Sequence, residues 1–405
     1  MSTAHQWEFR PRFRKHAFGW SSQRPVKRIK EAVSEIKKAA RQDKVLAGEG
    51  AVVFLEKLPR AVEHVDGSSG ALGNAVNKAI DELAPLIAAA PADQKQREKW
   101  LQRLWKAIDH DFRPDIEYLE SYWGQLCATP ERASVAADAL LDEVRRNWTD
   151  PSALGRHFKS ITPCLSSLFA AQRYDELLEL VALAPFPFWP YRFWSARTLE
   201  VLGQPERAVA HAEVCREKWS VSFGLDQECE RILLDNGMPD KAYAGYALQA
   251  NWKSTYQATF NAIVKKFPHK TKSEILQDCV AQTPGLEGKW FAAAKSGGLL
   301  EEAVQLSRTS PCDPKTLTRA ARDMAAASPG YATQLGLAAL HWLVEGYGYE
   351  ITNHDVLAAY DHTLEAAANA GTTDQALDMI REMVRAEATS DQFVSKVLGG
   401  ARGVR

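Results

Sequence analysis

The sequence predicts an all-α chain whose second half is an array of paired helices. Three observations carry this expectation. A turn pattern of glycine, four residues and alanine recurs four times, at Gly203–Ala208, Gly237–Ala242, Gly298–Ala303 and Gly371–Ala376. The glycine allows the left-handed conformation that ends one helix, and the small alanine lets the next helix pack closely. The first two copies lie 34 residues apart, and a degenerate copy, Gln172–Leu177, starts 31 residues before Gly203. That period belongs to stacked helical pairs. Finally, no alternating strand pattern of useful length and no strand–helix–strand rhythm runs through the chain.

The elements follow in order. Residues 1–24 read as a basic, aromatic arm without helical periodicity. Pro25 stops the arm and Val26 opens a helix with an apolar stripe of Ile29, Val33, Ile36 and Ala40. A second helix is expected from Val45 to Leu58, ending before Pro59. Gly67–Gly73 interrupts, and a third helix runs to about Ala90, with a kink or early break at Pro85. Asp93 can cap a fourth, whose apolar face holds Trp100, Leu101, Leu104, Trp105 and Ile108. Thr129-Pro130-Glu131 combines a side-chain cap, a first-turn proline and an acid, and opens a helix to about Trp148. Thr149–Pro151 then divides an N-terminal helical region, 25–150, from the array, 151–405. Within the array, Asp313-Pro314 and the capping box Thr352–Asp355 each start a helix.

Composition bounds the function. The 405 residues are 45% hydrophobic and 25% charged, which is ordinary soluble usage. A net charge of −1 hides an asymmetry, because residues 1–44 hold 12 Lys/Arg against 4 Asp/Glu. Six scattered cysteines without a CxxC pair read as reduced thiols inside helices. The start lacks the apolar core of a signal peptide, and the longest uncharged run, 324–344, contains Ser328-Pro329-Gly330. A cytoplasmic protein without a membrane span is expected.

Aligning the turn on Gly203 puts the small positions of a tetratricopeptide repeat on Ala196, Ala208 and Cys215, and a first-helix aliphatic on Leu199. The array, roughly 155–390, therefore resembles a degenerate tetratricopeptide-like solenoid. Departures are Glu230, Phe291, Gln249 and Met383, where the pattern wants a small residue. Glycine spacings of 34, 61 and 73 also require two irregular copies. The whole chain is also similar to an uncharacterised bacterial protein family, through the stretches Arg28–Lys38, Glu287–Lys295 and Thr316–Asp323. That similarity implies a common fold and carries no functional residues.

Two segments are candidate sites. In the arm, Trp7, Phe9, Phe13, Phe18 and Trp20 alternate with Arg10, Arg12, Arg14, Lys15 and Arg24. The rings either dock on the chain itself or meet a partner: an acidic protein groove, a membrane surface, or unpaired bases with phosphates on the cations. A nucleic-acid site would use Arg10, Arg12, Arg14, Lys15, Lys27, Arg28 and Lys30, extended by Lys265–Lys272. The other segment, Pro185–Trp194, carries three prolines and six aromatics and is expected to be stiff and extended. It is either a plug between helix pairs or a peptide groove of Phe188, Trp189, Tyr191, Arg192 and Trp194, with Arg192 orienting a carboxylate.

Weaker features remain. Gly67–Gly73 is either a connection or an anion site at a helix start. Gly285–Trp290 fails as a phosphate loop, because Trp290 stands where a hydroxyl ligand is needed. Asp355, His362 and Glu365 share a helix face without an obvious fourth metal ligand. No catalytic set, metal set or cofactor motif is recognisable, although an enzyme site between 26–148 and the array stays open. The expected function is a non-catalytic protein- or peptide-binding adaptor or regulator, with nucleic-acid binding through the arm and first helix as the alternative.

Overall fold

Helix follows helix along the described residues. A computed structural model describes residues 5–150, 152, 158–218, 224–387 and 392–404, with only the backbone of 217 and 218. Its described residues form 21 α-helices and short 3-10 turns, and no strand occurs among them. The chain divides into two compact units, 1–236 and 237–405. The expected boundary at 149–151 falls inside the first.

In the first unit, α1 (Gln23–Ala40), α2 (Lys44–Val62), α3 (Ala71–Ala89) and α4 (Gln94–Asp109) enclose one apolar core. Helix α1 begins ahead of Pro25, because a first-turn proline lacks only an N–H that has no helical acceptor. Pro59 does not end its helix, contrary to the sequence expectation, and α3 continues past Pro85 to Ala89, close to the expected end near Ala90. An interior proline costs about 3 kcal/mol. Beyond each one, however, fully buried residues offset the cost: Ala61 and Val62 in α2, Ile87 in α3. Asp93 and Thr129 cap their helices as expected, accepting from the N–H of Gln96 and Arg132.

The arm belongs to this core. Trp7, Phe9, Phe13 and Phe18 are buried, and the Phe9 and Phe13 rings stand edge-on to Phe54 of α2 at 5.7 and 5.0 Å. Gly50 makes room for the arm, since a Cβ there would lie 2.3 Å from the Trp7 ring. The Glu35 carboxylate accepts the backbone N–H of Glu8 and Phe9, at 2.7 and 3.1 Å. Four of the arm's five aromatic residues are thus self-docked, one of the readings its composition left open, while Trp20 is 75% exposed.

A second core in the same unit joins α6 (Pro130–Thr149), α7 (Ile161–Ala170), α8 (Tyr174–Ala182) and α9 (Trp189–Val201). Helices α10 (Pro205–Lys218) and α11 (Leu225–Asp235) follow.

The second unit runs from α12 (Pro239–Ala250) to α21 (Phe393–Arg402). All four recurring glycines adopt the left-handed conformation: Gly203, Gly237, Gly298 and Gly371 have φ of 73, 71, 81 and 71°. Their alanine partners, Ala208, Ala242, Ala303 and Ala376, are buried. Even Gln172 of the degenerate copy takes a positive φ, 59°. The two long glycine spacings each hold an extra helix pair whose turn needs no glycine. One is α13 (Tyr256–Lys266) with α14 (Lys272–Ala281), and the other is α17 (Pro314–Met324) with α18 (Pro329–Val344). Capping boxes at Thr271–Glu274 and Thr352–Asp355, and Asp313 accepting from Thr316 N–H, fix helix starts in this unit.

Candidate functional site

A cleft of about 1100 Å³ lies wholly within the first unit. One wall is the start of α9. Phe188 is extended (φ −91°, ψ 124°) and the helix begins at Trp189, so the expected extended segment stops there. Pro190 occupies the first turn, where a missing N–H breaks no helical bond. Phe188, Trp189, Tyr191 and Trp194 all line the cleft, together with Phe193 and Arg197. Their rings pack edge to face, Phe188–Tyr191 at 5.0 Å and Phe193–Trp194 at 5.3 Å.

Arg192 does not join them. Its guanidinium lies 3.3 Å from both ring nitrogens of His211. Burial, then the Arg192 and Arg207 charges, push His211 down to about 4, so the imidazole stays neutral beside that guanidinium. The expected carboxylate-orienting role has no counterpart in the cleft.

The opposite wall is a 3-10 helix, Glu117–Tyr122, which leads into α5 (Trp123–Leu126). It contributes Glu117, Tyr118, Glu120 and Tyr122, while Thr162, Ser166 and Phe169 of α7 also line the cleft. Gly124 holds this wall against α7. Its N–H donates to Ser166 Oγ at 3.0 Å, and Ser166 Oγ–H donates to the Ser121 carbonyl at 2.9 Å. A Cβ on Gly124 would sit 2.1 Å from the Ser166 carbonyl oxygen. Gly124→Ala should therefore pry the wall from α7 and cost roughly 1–3 kcal/mol, read as a lower urea midpoint. A midpoint equal to wild type would show that the approach is slack.

Glu120 is the unusual member. It is 2% exposed, and its carboxyl makes no hydrogen bond or ion pair among the described residues. Desolvation first, then the charges of Glu117 and Asp111, push it up to about 8, while Lys159 pulls it down. The Lys159 ammonium is itself held by the carbonyls of Ile108, Asp109 and Asp111, at 2.6, 3.0 and 3.3 Å. Tyr122 O–H donates to Asp81 at 2.6 Å, and burial raises the Tyr191 hydroxyl to about 12.

A second, smaller cleft of about 480 Å³ is basic. Arg10, Arg14 and Lys15 of the arm meet Lys57 and Arg60 of α2 and Lys106 of α4. None of the six forms an ion pair among the described residues. The acid on this cleft, Glu56, is held by Arg103 at 2.6 Å. The other expected phosphate contacts lie elsewhere: Arg12 and Arg28 bind Glu31 at 3.3 and 2.5 Å, and Lys27 and Lys30 are exposed on α1. In the 265–272 stretch, Lys270 lies over Tyr243 and near Asp240, and Lys272 donates to the Gly297 carbonyl.

The remaining candidates are engaged structurally. Asp355 accepts from Thr352 and pairs with Lys315, while Glu365 pairs with His362 and Asp361 with Arg402. Asp66 accepts from Ser68 within the 67–73 loop, which places an acid beside the supposed anion site. His16, Glu63 and His64 do converge, exposed, with ligand atoms within 4.8 Å, a grouping that their sequence separation conceals. The two imidazoles stack at 4.4 Å and 13°, so their lone pairs lie in nearly parallel planes and share no common ion. All six cysteines are buried; desolvation raises the Cys127 thiol to about 11 and Cys312 to about 12. Among the described residues, no helix is long and apolar enough to cross a membrane.

No family model and no curated protein matches the chain.

Proposed function

We propose that this chain is a non-catalytic adaptor or regulator that docks a polypeptide segment of a partner in the aromatic cleft. The supporting observation is convergence. Four residues singled out for their composition, Phe188, Trp189, Tyr191 and Trp194, meet Tyr118 and Tyr122 from a distant part of the chain around one open cavity. Aromatic side chains with a polar end are the usual anchors of such interfaces. Left-handed turn glycines and successive helix pairs support a tetratricopeptide-like solenoid, a scaffold suited to holding peptides. Cysteines scattered along the sequence without a CxxC pair support a cytoplasmic setting.

Selection of a displayed random-peptide library tests this reading. Peptides enriched on the wild-type protein should lose at least about tenfold in affinity on Phe188→Ala or Trp189→Ala, each being an aromatic anchor. Circular dichroism verifies that both variants stay folded. Enriched peptides that bind the variants as well as wild type would remove the cleft from the proposal.

A second reading rests on the basic cleft, whose six cations, without ion-pair partners among the described residues, can take a polyanion such as single-stranded nucleic acid. Arg14→Glu with Lys15→Glu should then abolish salt-sensitive oligonucleotide binding. Binding that ignores salt would exclude it.

A further inference from the structure

We propose that the aromatic cleft takes a cationic side chain of the docked polypeptide, a lysine, methylated lysine or arginine, with Glu120 as its counter-charge and the surrounding rings as its cage. This rests on the cleft being the docking site and goes on to name what it selects.

The buried carboxyl needs a partner. A polar side chain 2% exposed is ordinarily hydrogen-bonded, and Glu120 has no such bond among the described residues although it lines the cavity. Charge decides which partner. Glu117 faces the same space from the same helix, Asp111 lies close enough to raise Glu120, and Asp81 stands behind Tyr122 on α3. The nearby cations are already occupied. Lys159 is held by three carbonyls, and Arg197 of α9 lies 5.9 Å from the Phe193 ring centre and 3.6–3.7 Å from Glu200 and Glu228. An anionic guest would meet two carboxyl groups, and an apolar guest would leave Glu120 unsatisfied. A weakly hydrated organic cation instead gains both the carboxylate and the faces of Tyr118, Tyr122, Tyr191 and Trp189.

Entry of the cation has a protonic consequence. The empty cleft holds Glu120 mostly protonated at neutral pH, because its folded value is raised to about 8. The guest's positive charge favours the carboxylate, so the O–H bond breaks and the proton passes to solvent. The sign follows: below about pH 8 binding releases a proton, so affinity climbs with pH by up to about tenfold per unit and levels off above it. A carboxylate at its ordinary value would give no slope in this range. Glu117 and Asp111 oppose the loss of the proton, and Lys159 assists it.

The test is calorimetric titration of the full chain with alanine-flanked pentapeptides whose central residue is lysine, trimethyl-lysine, arginine, norleucine or glutamate. Buffers of different ionisation enthalpy count the protons released. The expected result is that the cationic guests bind at least about tenfold tighter than norleucine and that glutamate does not bind. Proton release should accompany the cations alone. In Glu120→Gln, a near-isostere of the neutral acid that keeps the fold, the preference and the pH slope should vanish while norleucine still binds. Equal binding of lysine and norleucine to wild type would overturn this inference and leave peptide docking in place. A pH slope that survives in Glu120→Gln would also overturn it. If no peptide binds at millimolar concentration, the docking site itself is refuted.

Discussion

A chain lacking residues 1–24 is expected to lose the cooperative unfolding of its first unit. Phe9 and Phe13 are 1% exposed and Trp7 and Phe18 nearly as deep, all within one core with Phe54, Leu55 and Leu58 of α2. Full burial of such a side chain stabilises by about 1.5–3 kcal/mol, so four of them contribute about 6–12 kcal/mol as an upper bound. Domains are stable by only about 5–15 kcal/mol in total. The truncation also uncovers the groove at Gly50 that receives Trp7 and leaves Glu35 without the two N–H groups it binds. Thermal melting followed by circular dichroism should show a missing or strongly lowered transition. A truncated chain that melts like wild type would mean that the arm is not part of the core. One practical consequence is that deleting the arm cannot isolate its cations. The point variants Arg14→Glu and Lys15→Glu do so, because both side chains line the basic cleft while the rings stay buried.

Arg97→Met should be the costliest single change, at about 3–5 kcal/mol. Arg97 is 1% exposed and has no acidic partner among the described residues. Its guanidinium donates to the carbonyls of Ile87, Ala88 and Ala90, which close the C-terminal end of α3, and to Leu126 at the end of α5. These acceptors carry the negative end of the helix dipole, which is why a lone buried cation is tolerated there. The guanidinium also lies 5.1 Å from the Trp100 ring centre. Methionine fills much of the volume and leaves the carbonyls unsatisfied. Arg97→Lys should recover only part of the loss, since an ammonium lacks the planar fork. Urea denaturation measures both, and a loss below about 1 kcal/mol for Arg97→Met would show that water replaces the guanidinium.

Local signals in the sequence translated well into structure. Asp93, Thr129, Asp313 and Thr352 start their helices as their spacing indicates, because a cap and its target N–H lie three residues apart. The four glycine turns follow for the same reason. Pro59 misled, since the burial that carries α2 past it depends on residues far along the chain. The arm's docking depends on Phe54 and Gly50, whose role as a receiving surface has no local signature. Half of the cleft was legible as an aromatic run. The other wall was not, because six residues of 3-10 helix carry no periodicity and Glu120 looks there like any surface acid. The basic cleft was hidden in the same way, with Lys57, Arg60 and Lys106 joining the arm only through folding.

The most direct measurement is a fluorescence-anisotropy titration of a library-selected peptide and, separately, a labelled single-stranded oligonucleotide onto wild type and Trp189→Ala. Peptide docking in the aromatic cleft predicts that Trp189→Ala weakens the peptide by at least about tenfold and leaves the oligonucleotide unchanged. Equal peptide affinity for the two proteins would contradict it.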